Sequence, residues 1–71
     1  MSKTIFEAYN YAKKQLEGAG IEDFGFEARQ IIRHITGLEN AQILVKYAQP
    51  LTPFQENSLT AILHQRQARY P

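Results

Sequence analysis

The sequence predicts an all-α fold, a small bundle of four to five helices. Three observations carry that reading. Apolar residues recur at steps of three and four along most of the chain. Thr, Asp or Asn stands just ahead of each periodic stretch, where a side-chain oxygen can accept from the free N–H groups of a helix start. And 71 residues are few for a sandwich or a Rossmann domain, whereas helices satisfy their hydrogen bonds locally. One domain of this size is expected to hold together by roughly 4–10 kcal/mol.

Thr4 opens the first helix, three residues before Glu7, which is the capping-box spacing. Ile5, Ala8, Tyr9, Ala12 and Leu16 then share one face. Asn10, Lys13, Lys14 and Glu17 point elsewhere. Gly18 and Gly20 end this helix of about 14 residues, since glycine adopts a left-handed cap without a Cβ clash.

Residues 20–23 form a connector, and Asp23 is placed to cap a second helix. Its apolar stripe is Phe24, Ala28, Ile31, Ile32 and Ile35, with Glu27 and Arg29 outside. Gly37 ends it, and Leu38 supplies the apolar contact that accompanies a glycine cap. Asn40 is the expected cap of a short third helix, with Ala41, Leu44, Val45 and Ala48 on one side and Ile43 beside them. Ile43 and Val45 would also suit a strand. Pro50 prevents a clean continuation.

Thr52-Pro53-Phe54-Gln55 is the strongest start signal. It combines Thr at the cap, Pro at the first helical position and Gln three after the Thr. The last helix runs to about Ala68, with Leu59, Ile62 and Leu63 as its ridge and Phe54 near its start. His64, Arg66 and Arg69 crowd its end, where cations complement the helix dipole.

Charge and composition exclude several functions. Eight Lys and Arg against seven Asp and Glu give a net charge of +1. The cations are dispersed, unlike the basic face of a protein that neutralises phosphates. No direct nucleic-acid contact is expected, and the apolar helix after Gly37, with only Lys46, would make a poor recognition helix. There is no cysteine, hence no disulfide or thiolate metal site. No secretory signal follows Met1, and no apolar run approaches the ~20 residues of a membrane span. A monomer in the cytoplasm, with no membrane contact, is the expectation.

No side-chain pattern here builds an active site. The four glycines stand at helix ends and form no phosphate-cradling loop. His34 and His64 lie on different helices without a carboxylate at i+4, so no metal site is expected. Ser2 and Ser58 lack a nucleophile-elbow context, and Glu22 and Asp23 read as a helix start. Arg66 and Arg69 could bind an anion, but a solvated helix end accounts for them better. Tyr9 fits the core face. Tyr11 lies off the ridge, and Tyr47 and Tyr70 sit near element ends. Such tyrosines either cover the ends of the bundle or serve an interface, where they offer area at little entropy cost.

Three strings carry a resemblance. They are Leu16-Glu17-Gly18-Ala19-Gly20-Ile21-Glu22, then Glu27-Ala28-Arg29-Gln30-Ile31-Ile32, then Thr36-Gly37-Leu38. Leu51-Thr52-Pro53 and the tail Arg66-Gln67-Ala68-Arg69-Tyr70-Pro71 continue it in the same order. Together they resemble the N-terminal helical domain of the HemK/PrmC family, over about Thr4 to Pro71. Members of that family are glutamine methyltransferases acting on peptide chain release factors.

The resemblance implies a division of labour. A helical bundle precedes a Rossmann-like catalytic domain that binds S-adenosylmethionine through a glycine-rich motif. That domain holds the substrate glutamine, from the release factor's Gly-Gly-Gln loop, with an Asn-Pro-Pro-Tyr motif. Neither motif occurs in this chain, so no catalytic, cofactor-binding or metal-binding residue is carried over to any position. The expectation is an excised N-terminal domain whose partner is the release factor. Tyr11, Arg29, Arg33 and Tyr47 are the candidate contacts. The alternative is a stand-alone helical protein-interaction module.

Overall fold

The computed structural model describes residues 3–69. Four helices follow one another: α1 (Ile5–Gly18), α2 (Phe24–Thr36), α3 (Asn40–Val45) and α4 (Pro53–Arg69). Among the described residues there is no strand, only an isolated antiparallel bridge between Thr4 and Pro50. The fold is all-α, as the sequence predicts.

The start of α1 shows why sequence and structure agree there. Thr4 Oγ1 accepts from Glu7 N–H at 3.1 Å, and the Glu7 carboxylate accepts from Thr4 N–H at 2.9 Å. This reciprocal cap satisfies two donors that the helix itself leaves free. It also favours the ionised carboxylate, so the Glu7 carboxyl titrates below its ordinary 4.5. Two more free donors are met from outside the helix. Ile5 N–H donates to the Gln49 carbonyl at 3.0 Å, and Phe6 N–H donates to the Tyr47 carbonyl at 3.1 Å. The chain leaving α3 is thereby tied to the start of α1.

One apolar face of α1, Ile5, Ala8, Ala12 and Leu16, is buried against Ala28, Ile31 and Ile32 of α2. Leu59 and Leu63 of α4 close the core. Ala8, Ala12 and Ala28 are fully buried, and their small side chains let α1 and α2 approach closely. Ile21 and Leu51, both in connectors, are buried as well. Periodicity could not show these two, because it speaks only of residues inside a helix.

Near its end α4 lies beside the start of α2 and the end of α1. Arg66 pairs with Glu27 at 2.9 Å, and Gln67 donates to Gln15 Oε1 at 3.0 Å. At its start α4 repeats the α1 cap. Thr52 N–H donates to Gln55 Oε1 at 2.9 Å, and Gln55 N–H donates to Thr52 Oγ1 at 3.1 Å. Gly37 adopts φ 73°, ψ 9° and its N–H donates to the Arg33 carbonyl, the left-handed stop expected after α2. Gly20, also at positive φ, turns the chain after α1.

Several expectations need correction. Asn40 is the first helical residue of α3, and the cap is Glu39, whose N–H is met by Gln42 Oε1 at 2.9 Å. The helix stops at Val45, and Ile43 is its only buried residue. Ala41, Leu44, Val45 and Ala48 are exposed. Six residues make under two turns, so one side chain suffices to anchor the helix. Asp23 stands at the cap of α2 but makes no side-chain cap bond there. Phe54 is 78% exposed and joins no core. Arg66 is engaged with Glu27, which argues against a free arginine pair at the end of α4. The Arg69 side chain and Tyr70 lie outside the described residues.

Candidate functional site

Where α3 packs on α2 and the segment after it meets α1, a cleft is left. Tyr9 of α1, Arg29 and Ile32 of α2, Asn40, Ile43 and Leu44 of α3, and Tyr47 beyond it line the opening. Its volume is about 80 Å³.

Each wall has a local cause. Tyr9 stands one residue after the buried Ala8, at the edge of the α1 core face, so its ring is half-buried. Gly25 of α2 faces the Tyr9 hydroxyl, with room there for an ordinary van der Waals contact. A Cβ there would sit 3.9 Å from the Tyr9 hydroxyl. Ile32 and Ile43 form the buried floor. Tyr47 is held by its own backbone, because its carbonyl accepts from Phe6 N–H. The Phe6 ring then meets the Tyr47 ring edge-on, with centroids 5.0 Å apart at 79°. This T-shaped geometry sets the positive edge of one ring against the face of the other. Leu44 remains 62% exposed at the rim and Phe6 48% exposed.

The polar groups around this apolar floor are cationic or neutral. Arg29 is exposed. Lys13 Nζ stands 5.2 Å from the centroid of the Tyr9 ring, within cation–π range. No carboxylate lines the cleft.

The model of the PrmC N-terminal domain matches residues 7–71. The chain belongs to that family. Nothing among curated proteins or solved structures matches it.

In this PrmC N-terminal domain, two of the four contact candidates come together. Arg29 and Tyr47 line the same cleft from different elements. Arg33 follows one turn after Arg29. It borders a separate groove with Gln30, His34, Gly37, Leu38 and Glu39. Tyr11 stands apart. It lies two residues from Tyr9, hence about 200° around α1, and carries Lys3 Nζ 4.8 Å from its ring centroid.

Tyr9 and Leu44 line the cleft, and Phe6 and Lys13 reach it only through the Tyr47 and Tyr9 rings, although the sequence does not place them there. Phe6 gave one usable signal, a large aromatic next to the core residue Ile5 but off its face. Leu44 gave none, since the sequence pattern puts it on the buried side of α3. Among the described residues no three His, Asp or Glu side chains gather into a metal-holding group. Nor is any described helix long and apolar enough to cross a membrane.

Proposed function

We propose that this domain docks the peptide chain release factor for a glutamine methyltransferase, and so helps present the Gly-Gly-Gln loop for methylation. Membership of the PrmC N-terminal domain family carries this reading. The cleft supports it, because exposed aromatic and arginine side chains are the residue types that dominate protein interfaces.

The chemistry is assigned to a separate domain. The cleft, at about 80 Å³, is far below the roughly 300–1,000 Å³ of small-molecule sites. Glycines at 18, 20, 25 and 37 form no phosphate-cradling run. These residues do not fit S-adenosylmethionine, and no step of methyl transfer is routed through them. Their contribution is binding energy remote from the reacting amide. Such energy holds one reactant in place and removes part of the entropy cost of the encounter.

The test is a calorimetric titration of this chain with purified release factor. Saturable binding is the expected result. No heat and no complex at high protein concentration would refute docking by this domain.

A further inference from the structure

Exposed apolar side chains occur at several places on the surface. Phe26 stands in the first turn of α2. Phe54 borders a groove with His34, Ile35 and Ile62. Phe26 shares its groove with Glu22, Asp23 and Glu27, the last already paired with Arg66, and the Phe54 groove holds no Lys, Arg, Asp or Glu. The α1–α2–α3 cleft differs in joining a floor of two buried isoleucines, Ile32 and Ile43, to a rim cation, Arg29, that has no ion-pair partner among the described residues.

We infer that the cleft takes one aliphatic side chain from a release-factor segment, with a carboxylate of that segment paired to Arg29. The inference rests on the docking reading and adds the chemistry of the segment that docks.

Size selects the side chain. A cavity of about 150 Å³ is what accommodates a benzene ring. This cleft is about half that, and the Tyr9 and Tyr47 rings already line it. A branched aliphatic group suits it better than another ring. Its walls are Ile32, Ile43 and Leu44, with the Tyr9 and Tyr47 rings beside them.

Charge selects the neighbour. Arg29 makes no salt bridge or side-chain hydrogen bond among the described residues; the pair there is Arg66–Glu27. Lys13 lies on the same flank of α1 as Tyr9 and likewise has no carboxylate partner among them. A guanidinium fork at the rim of an apolar cleft matches a carboxylate with two parallel hydrogen bonds. A basic segment would meet repulsion from both cations. A nucleic acid would need a broader cationic surface than these two groups provide.

The test uses the isotope-labelled 71-residue chain and its Arg29→Glu and Arg29→Lys variants, each titrated with purified release factor and followed by amide NMR. Shifts are expected at Tyr9, Arg29, Ile43, Leu44 and Tyr47. Arg29→Glu should weaken binding at least about tenfold, as reversing a paired interface charge does. Arg29→Lys should retain part of it, since the charge stays and the fork is lost. Arg29 is exposed and has no ion-pair partner among the described residues, so the variants should keep the dispersed spectrum of the folded chain. Binding with shifts on another face, unchanged by Arg29→Glu, would overturn the cleft assignment and leave docking intact. Absence of binding by the unmodified chain would overturn docking itself. Shifts at the cleft that appear on concentrating the chain alone would assign it to a second copy and overturn the inference.

Discussion

Replacing Leu16 with alanine will cost this fold roughly 2–5 kcal/mol. Leu16 is fully buried on the face α1 turns to the core. Removing three carbons there forfeits their transfer energy and leaves a cavity that a helix fixed at both ends cannot collapse. Both ends of α1 are fixed. A capping box and two bonds from the segment after α3 hold its start. At its end, Ala19, Gly20 and Ile21 N–H groups donate back to its last carbonyls. Total stability at this size is roughly 4–10 kcal/mol, so the loss is a large share of it. Each kcal/mol lowers the melting temperature of so small a domain by about 4–8 °C. Thermal unfolding followed by circular dichroism should show a drop of about 8–40 °C. Phe6→Ala, which removes a half-exposed ring from the other side of α1, should cost much less. Equal losses for the two variants would contradict the core described above.

Tyr47→Ala should weaken release-factor binding about 30-fold or more while leaving the fold in place. Tyr47 is a wall of the cleft and the edge partner of Phe6. Truncation removes that wall and leaves the Phe6 ring unsupported. Interface residues of this kind cost 2 kcal/mol or more on truncation, and every 1.4 kcal/mol is a factor of ten. The tie between α3 and α1 survives, because the Tyr47 backbone carbonyl makes it. Tyr47→Phe is the control. The hydroxyl makes no hydrogen bond among the described residues, so its loss should change affinity little. Calorimetric titration of both variants measures the difference. An unchanged affinity for Tyr47→Ala would remove the cleft from the interface.

The helices were legible wherever a cap and a stripe agree. Thr4 with Glu7 and Thr52 with Gln55 make the reciprocal bonds their spacing implies, because a capping box is a contact between near neighbours in sequence. Gly37 was legible for the same reason. The short α3 was not. Over six residues, helical periodicity hardly distinguishes one side from another, and tertiary packing chose Ile43 over its neighbours.

The cleft was legible only in part. Arg29 and Tyr47 stood out as an outward cation and an aromatic at an element end. Their adjacency depends on the chain folding back from α3 to meet the start of α1, through Ile5–Gln49 and Phe6–Tyr47 backbone bonds. Side-chain type does not encode those bonds. Tyr11 carried the same surface signal as Tyr47, yet the turn of α1 sets it on the flank away from the cleft.

The central claim is that contacts made by this domain serve methylation of the release factor. The most direct measurement compares the full-length methyltransferase expected to carry this domain with a form lacking it. Both are assayed on intact release factor and on a short peptide containing Gly-Gly-Gln. Loss of kcat/KM on the intact factor, with the peptide rate unchanged, is the predicted result, since only the larger substrate reaches the docking surface. Equal loss on both substrates, or no loss on either, would contradict the account.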